Sequence, residues 1–178
     1  AFDVASHELL FKKLSQLDIQ PSLISLICNY LWDRSCFVRV NGQSSLSYEA
    51  ASGVPQGSVL GPLLFSIFIN DVSPVFNDCN FLLYADDVKI FKSVSNTASC
   101  SALQRAISSF SQWCSCNKLL INTSKTKVMT YTRKTDNILF SYNINGELLP
   151  RVVEVNDLGV NFDSKFSFSS HIQVITCT

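Results

Sequence analysis

The sequence predicts a single α+β domain, because segments with helical periodicity are mixed with short β-prone runs that flank tight-turn signals. Asn41-Gly42 and Asn145-Gly146 each separate two such runs, which is the strongest short-range signal for a hairpin. The 178 residues are 47% hydrophobic, which is enough apolar material for a buried core. No internal repeat or low-complexity linker divides the chain, so these elements belong to one unit.

The first fifty residues predict two helices and then a hairpin. Ser6 is placed to cap a helix whose leucines recur at helical spacing, and Pro21 suits the first turn of a second helix. The β-prone runs 36–40 and 46–50 flank the turn at Asn41-Gly42. Helices therefore give way to strands near residue 36.

Residues 52–62 predict a loop of special geometry, because they hold three of the six glycines and two of the five prolines. Pro62 is suited to open a helix that continues to about Asn70. The apolar runs 80–84 and 88–94 then predict a second hairpin. Its tip is Ala85-Asp86-Asp87, so two acids are expected there.

The remaining chain predicts a long helix, further strands and a terminal helix. Thr97 is placed to cap an amphipathic helix that ends near Asn117, and Ser169 is placed to cap the last helix. Between them the sequence predicts an extended segment over 119–132, a hairpin over 138–149 and one strand over 152–162.

Charge and cysteine content exclude several classes of protein. The 14 basic residues equal the 14 acidic ones, so there is no global basic excess, and contact with a polyanion has to be local. No apolar run is long enough for a membrane span, and no secretory signal opens the chain. The seven cysteines form no CxxC pair, which favours reduced, buried thiols in an intracellular protein over a zinc site.

The adjacent acids Asp86 and Asp87 leave two interpretations open. Side chains on a regular strand alternate between faces, but at a turn two neighbouring carboxylates can converge on one cation such as Mg²⁺, as nucleotidyl transfer requires. The other interpretation is a solvated turn, where aspartate is common. The flanking runs 81–84 and 88–91 are apolar enough for a sheet interior, and such a rigid base favours a site.

The glycine loop is open to the same two kinds of interpretation. Gly57 and Gly61 remove side chains where a ligand needs close approach to the backbone, and Gln56 offers both a donor and an acceptor. An ordinary connection between a strand and a helix, in which glycine and proline only shape the turn, would also account for them. The loop lacks the Gly-Lys-Ser/Thr ending of a phosphate-binding P-loop.

The sequence resembles the reverse transcriptases in two motifs that occur in the same order, and the resemblance is closest to the non-LTR, jockey-like retrotransposon polymerases. The motifs are Gly53-Val54-Pro55-Gln56-Gly57-Ser58-Val59-Leu60-Gly61-Pro62-Leu63-Leu64-Phe65 and Tyr84-Ala85-Asp86-Asp87. Further similar segments are Ala1-Phe2-Asp3-Val4 with His7, Trp113 with Lys125-Thr126, and Leu158-Gly159-Val160. The resemblance covers nearly the whole chain.

The resemblance implies a right-hand polymerase palm, an antiparallel sheet backed by helices, with partial fingers and the start of the thumb. Residues 1–50 would supply fingers and palm elements, 51–135 the palm core, and 136–178 the end of the palm and the start of the thumb. It also implies RNA-directed DNA synthesis with an RNA template, a DNA primer and deoxynucleoside triphosphates, and a location in the nucleus or cytoplasm rather than on a membrane.

The resemblance also assigns roles to individual residues. Asp86 and Asp87 match the catalytic pair that binds metal, Phe2 the aromatic gate against a ribose 2′-OH, and Gln56 with Gly57 the loop that contacts nucleotide and template. Lys125 matches a lysine near the leaving pyrophosphate. The alternatives are that Phe2 belongs to the core and that Lys125 is a solvated charge.

One catalytic aspartate of the family falls outside the chain, because it lies five residues before the aromatic that matches Phe2. Asp3 matches a different, second aspartate and does not replace it. The two-metal Mg²⁺ site is therefore expected to be incomplete, and this chain alone is expected to be inactive. A second departure is Asp157, which stands where the family usually has an aromatic residue in the primer-grip region.

A basic stripe, the residues Lys118, Lys125, Lys127, Arg133 and Lys134, runs through 117–135 without an acid. It would face nucleic-acid phosphates or form a solvated edge protected by lysines. Two other functions remain open: a non-catalytic remnant that only binds nucleic acid, and a group II intron-type or cellular reverse transcriptase. RNA–DNA binding without Mg²⁺-dependent extension would favour the remnant.

Overall fold

The structure is a computed structural model that describes residues 1–133 and 138–177. Over those residues helices and short strands are mixed, which confirms the predicted α+β class. The helices are α1 (His7–Leu14), α2 (Pro21–Leu31), α3 (Leu60–Ile69), α4 (Thr97–Cys116) and α5 (Ser169–Thr176), with 3-10 segments at Phe2–Val4 and Asn70–Phe76. The strands are β1 (Ser35–Cys36), β2 (Arg39–Val40), β3 (Gln43–Ser44), β4 (Tyr48–Glu49), β5 (Asn80–Tyr84), β6 (Asp87–Phe91), β7 (Val128–Met129), β8 (Asn143–Ile144), β9 (Glu147–Leu148), β10 (Arg151–Val152), β11 (Glu154–Asp157) and β12 (Val160–Asp163).

The helix starts follow the sequence signals only in part: Ser6 is the N-cap of α1 but makes no capping side-chain bond, α3 begins at Leu60 before Pro62, and the N-cap of α5 is Phe168 rather than Ser169. Pro21 occupies the first turn of α2, where its missing N–H costs no hydrogen bond. Helix α4 is capped by Asn96 rather than by Thr97: the side chain of Asn96 accepts from the Ser99 backbone N–H, and the Ser99 hydroxyl accepts from the backbone N–H of Asn96. This reciprocal capping box fixes the first turn of the longest helix.

Both predicted Asn-Gly hairpins are present, although their strands are only two residues long. Backbone φ is positive at both turn residues in each case, +51° and +82° at Asn41-Gly42 and +52° and +86° at Asn145-Gly146. Positive φ at both central residues gives the tight turn the handedness that matches strand twist.

The strands form six separate two-stranded ladders over the described residues, rather than the one antiparallel sheet that the resemblance implies. Five ladders are antiparallel, but β7 and β10 pair in parallel. The strand predicted over 152–162 is wrong, because Leu158 and Gly159 both have positive φ and turn the chain between β11 and β12. The extended segment predicted over 119–132 is likewise wrong, since only β7 within it is a strand and Thr123–Lys125 form a turn.

The main core lies between α1, α3, α4 and the 3-10 segment Asn70–Phe76. Its largest fully buried side chains include Phe65, Phe68 and Leu10. Lys13 reaches into this region and donates to the Phe68 carbonyl oxygen at 2.5 Å and to Asp71 at 2.7 Å. Burial lowers the pKa of Lys13, although the neighbouring Asp71 carboxylate acts in the opposite direction.

A second, smaller core holds the C-terminal half against the other side of α4. Cys100 and Ile107 of the helix pack there with Tyr142 and Ile144. Gln104, on the same helix, holds both backbone groups of Asn143, since its amide accepts from the N–H and donates to the carbonyl. Helix α4 therefore joins the two halves of the chain.

The seven cysteines are free thiols, but the expectation that they are buried holds for only some of them. Cys100 and Cys114 are buried, whereas Cys116 and Cys177 are exposed. Burial raises the pKa of the Cys114 thiol to about 11, which keeps it protonated and unreactive at neutral pH. In the part of the chain that the structure describes, no helix has the length and hydropathy that a membrane crossing requires.

Candidate active site

The hairpin of β5 and β6 carries the two candidate catalytic acids. Its strands pair from Asn80 with Phe91 to Tyr84 with Asp87, so the turn consists of only Ala85 and Asp86. Asp86 thus lies in the turn, but Asp87 is the first residue of β6 and not part of the tip as the sequence predicts. The short turn is closed by Ala85 in the left-handed region, at φ +52°.

The two faces of this hairpin differ in what covers them. Phe81, Val88 and Ile90 point inward and pack on the main core. The opposite face carries Tyr84 and Leu82, which are 66% and 57% exposed, together with their partners Asp87 and Lys89. The prediction that both flanking strands lie in a sheet interior is therefore wrong. The hairpin is anchored on one face only, and Asp87 lies on the open one.

The N-terminal segment lies directly beside Asp86. The Ala1 ammonium nitrogen is 3.6 Å from Oδ2 of Asp86, a carboxylate that is half exposed. The next residue, Phe2, stacks on Phe65 of α3 with ring centroids 4.2 Å apart. Phe2 is thus placed close to the acids, and its ring is held by the core, as the structural alternative for this residue expects.

A set of hydrogen bonds clamps the N-terminal segment to the glycine loop. The backbone N–H of Val54 donates to the Phe2 carbonyl at 2.9 Å, and that of Gly53 donates to the Ala5 carbonyl at 2.8 Å. His7 Nε2 lies 2.7 Å from the Gly53 carbonyl oxygen, so this nitrogen carries the proton and donates it. The sequence carries no local signal for this contact, and the structure makes His7 a clamp of the loop.

Gln56 and Gly57 lie at the exposed turn of this loop. The Gln56 side-chain amide donates to Oδ1 of Asp3 at 2.9 Å, which links the loop to the segment beside Asp86. Gly57 has a φ of +76° and open space where a side chain would be. Gly61 serves packing instead of ligand approach, because a Cβ there would collide with the Pro55 carbonyl oxygen.

Lys125 is not brought to these residues by any contact within the described part of the chain. It lies in the turn Thr123–Lys125, where its backbone N–H donates to the Asn122 side chain and its own side chain is exposed. Of the other members of the basic stripe, Lys118 pairs with Glu8 at 3.3 Å, and Lys134 lies outside the described residues. The stripe is therefore not a continuous, unpaired row of cations.

The donor set at the hairpin fits a hard cation. Asp86 offers a half-exposed carboxylate in the turn, and Asp87 adds a second carboxylate from an open face. No cluster of three or more His, Cys, Asp or Glu side chains within residues 1–133 and 138–177 has metal-binding geometry. Two carboxylates with open coordination positions suit Mg²⁺, which keeps several waters and takes further oxygens from phosphates.

An ion pair that the sequence does not predict connects this hairpin to the hairpin of β11 and β12. Lys89 of β6 donates to Oδ2 of Asp157 on β11 at 2.5 Å, and the two side chains are 38% and 25% exposed. The two residues are far apart in sequence, so no local pattern indicates their contact. The sequence indicates only that Lys89 lies on the same face of the strand as Asp87, because side chains alternate between faces.

These features define a class of protein: a mixed α/β unit that presents two adjacent carboxylates on a short hairpin beside a clamped glycine loop. Residues 1–162 match the reverse transcriptase (RNA-dependent DNA polymerase) family, and the chain belongs to that family. It is 35% identical over 180 residues to the RNA-directed DNA polymerase from mobile element jockey of Drosophila melanogaster. It is also 32% identical to the probable RNA-directed DNA polymerase from transposon BS and 30% identical to that from transposon X-element, both of the same organism.

These matches cover nearly all of this chain but a small part of each relative. Between 97% and 99% of the chain is aligned, against 19% to 20% of the relatives' lengths. The chain thus spans about a fifth of the length of the relatives that it matches.

Proposed function

We propose that the chain is the catalytic segment of a retrotransposon RNA-directed DNA polymerase. The observation that carries this proposal is that Asp86, in the two-residue turn, and Asp87, the first residue of β6, are adjacent carboxylates at one end of the hairpin, with Asp86 directly beside the N-terminal segment. The family membership of the chain and the names of its relatives support the same activity. The proposed substrates are deoxynucleoside triphosphates, added to a DNA primer on an RNA template.

In this proposal the chain forms most of a polymerase palm. Residues 1–50 contribute fingers and palm elements, 51–135 the palm core, and 136–178 the end of the palm and the start of the thumb. Support comes from the β5–β6 hairpin, which packs one face on α4 and on the 3-10 segment Asn70–Phe76 and leaves the other open. An open face bearing acids is where a primer terminus and an incoming nucleotide would meet.

Each site residue has a proposed task. Asp86 and Asp87 hold Mg²⁺, which when bound supplies charge neutralisation for the attacking and leaving oxygens. Phe2, fixed by its stack on Phe65, bounds the sugar pocket of the nucleotide. Gln56 and Gly57 contact nucleotide and template from the exposed loop, and Lys125 neutralises the departing pyrophosphate from its own exposed turn.

The third carboxylate of the family site is proposed to come from a residue upstream of Ala1. The Ala1 nitrogen lies 3.6 Å from Asp86, so a strand arriving at that atom would pass the pair of acids. With two carboxylates the site binds metal weakly, and residues 1–178 alone are expected to extend no primer.

Metal binding at the hairpin tests the proposal on the chain as it exists. Terbium(III) substitutes for hard divalent cations and emits when a nearby tyrosine is excited, and Tyr84 pairs directly with Asp87. We expect sensitised emission that saturates with terbium and is displaced by Mg²⁺. Asp86→Asn and Asp87→Asn should each weaken it strongly, since each removes one of two charged ligands.

Asp78→Asn is the matched control, because this exposed aspartate lies just before β5, at the opposite end of the same hairpin. It should leave the emission unchanged. Equal emission from Asp87→Asn and the unsubstituted chain would contradict the metal site.

Catalysis is tested in a relative, because the chain spans about a fifth of the proteins that it matches. Residues 1–178 would replace the matched segment of the jockey polymerase, and primer extension on an RNA template would be measured with Mg²⁺. We expect the chimera to extend the primer. Asp86→Asn should lower the extension rate by at least about 100-fold, which is the usual effect of removing a group that stabilises charge at a reacting centre. Hybrid binding without extension would instead support the non-catalytic, nucleic-acid-binding alternative.

A further inference from the structure

Lys89 and Asp87 lie on the same face of β6, two residues apart. Side chains alternate along a strand, and the pairing of Asp87 with Tyr84 and of Lys89 with Leu82 places both on the open face of the hairpin. Residues at this spacing are about 7 Å apart along the strand, a distance that a lysine side chain spans. The ammonium group of Lys89 is thus within reach of a candidate metal-binding carboxylate.

The structure directs this ammonium group to a different carboxylate. Nζ of Lys89 lies 2.5 Å from Oδ2 of Asp157, which extends from β11. Asp157 is the more buried of the two partners, and β11 is paired along its whole length with β12, so the acceptor is on a supported strand. Lys89 is therefore drawn away from Asp87 and toward the β11–β12 hairpin.

A lysine without this partner would compete for the site. Its ammonium group would pair with Asp87 and neutralise the charge that attracts a metal ion. An unpaired cation on the same face would also repel an incoming divalent ion. Both effects lower the affinity of the carboxylate pair for metal.

We propose that Asp157 is a positioning residue that sequesters Lys89 and keeps Asp87 free to bind metal. The inference rests on the proposed metal site at Asp86 and Asp87, and it assigns a task to the residue at which this chain departs from the family pattern. The metal affinity of the hairpin accordingly depends on a carboxylate that does not touch the metal.

A purely structural ion pair makes different predictions from sequestration. If the pair only tied β6 to β11, neutralising either partner would lower stability alike and leave metal affinity unchanged. If Asp157 acted only as a distant negative charge, its removal would weaken metal binding by the same factor whether or not Lys89 were present. Sequestration alone predicts that the effect of Asp157 requires Lys89.

The test is a double-mutant cycle read by terbium emission from Tyr84 on the 178-residue chain. Asp157→Asn should weaken terbium binding by about three- to tenfold, the effect of one uncompensated unit charge about 7 Å from the ion in a watery environment. Lys89→Met should bind terbium at least as tightly as the unsubstituted chain. In the Lys89→Met background, Asp157→Asn should change the affinity by less than about twofold.

Two further variants distinguish an effect of the Asp157 charge from an effect of impaired folding. Asp157→Glu keeps the charge and should retain the original affinity, and Asp157→Ser should repeat the loss seen with Asp157→Asn. Thermal unfolding of each variant is measured in parallel, and the affinity change should not follow the change in melting temperature.

The outcomes separate this inference from the proposed function. No saturable emission from the unsubstituted chain would overturn the metal site itself, and the inference with it. Normal emission with an unchanged affinity in Asp157→Asn would overturn the inference alone. An equal loss on removing Asp157 with and without Lys89 would also overturn it, since distant charge would then suffice.

Discussion

At the scale of single residues, two glycines of the same loop are required for different reasons. Gly53 has a φ of +86°, and a Cβ there would lie 2.7 Å from the carbonyl oxygen of Asp3. Gly57 has a similar φ of +76° but nothing within 4 Å of the Cβ position. Gly53 therefore permits the loop to contact the N-terminal segment, whereas Gly57 only permits a backbone conformation.

This difference predicts unequal effects of alanine. Gly57→Ala should lower the free energy of unfolding by about 1–2 kcal/mol, the cost of a left-handed conformation. Gly53→Ala should cost about 2–5 kcal/mol, because a backbone collision is added to the same conformational cost. Urea denaturation of both variants measures the difference. Equal losses would show that the segment carrying Phe2 moves aside without penalty.

At the scale of elements, the junction between β12 and α5 is organised by one carboxylate. Asp163, the last residue of β12, accepts hydrogen bonds from the backbone N–H groups of Lys165 and Phe168 and from the Ser167 hydroxyl. Partial desolvation raises the pKa of Asp163, but these hydrogen bonds outweigh it and hold the pKa at about 2. The charged carboxylate thus replaces a helix cap, since Phe168 at the N-cap makes no side-chain bond.

The lowered pKa predicts an acid-sensitive contribution to stability. The group's ordinary pKa is 3.8, so the folded state gains from ionised Asp163 above that pH and loses this gain as pH falls through about 2. The melting temperature of the unsubstituted chain should therefore exceed that of Asp163→Asn at pH 6. The difference should shrink between pH 4 and pH 2.

Glu154, the first residue of β11, supplies the control for this prediction, because it is an exposed carboxylate of the same hairpin. Glu154→Gln should show no such pH-dependent difference. A constant gap between the unsubstituted chain and Asp163→Asn from pH 6 to pH 2 would contradict the role of ionised Asp163.

The elements also show where sequence signals suffice and where they fail. Pro21, Asn41-Gly42 and Asn145-Gly146 predicted their helix start and turns correctly, because the backbone preference of these residues is local. The turn at Leu158-Gly159 was missed, since leucine rarely adopts the positive φ of +48° found there. Its conformation is imposed by the pairing of β11 with β12 rather than by its own preference.

At the scale of the whole molecule, the net charge is zero, but the individual cations differ in whether an acid lies beside them. Several cations are engaged with acids, as Lys13 is with Asp71, Lys89 with Asp157 and Lys118 with Glu8. Lys125 is exposed in its turn. The proposed contact with nucleic-acid phosphates would thus depend on a few exposed cations, because the net charge is zero.

Salt dependence of binding to an RNA–DNA hybrid tests this view. If Lys125 contacts a phosphate, Lys125→Ala should reduce the slope of log affinity against log salt by about 1. Lys12→Ala, an exposed lysine of α1 outside the basic stripe, should leave the slope unchanged. Equal slopes for the two variants would place Lys125 away from the bound strand.

Long-range arrangement was the least predictable property of the chain. The acids and the glycine loop were found in the sequence, because their residue types and order are distinctive. The contacts that connect them are not predictable from the sequence. The Gln56 amide donates to Asp3, His7 donates to the Gly53 carbonyl, and Lys89 pairs with Asp157. Each contact joins residues more than forty positions apart, and nothing in local propensity or periodicity encodes such a distance.

The position of the first residue has a practical consequence for purification. Because the Ala1 nitrogen lies beside Asp86, a polyhistidine affinity tag fused there would bring chelating imidazoles to the carboxylates. Metal titrations of such a protein would report the tag as well as the hairpin. The α5 helix ends in exposed residues at the other end of the chain, so a tag placed after it avoids this artefact.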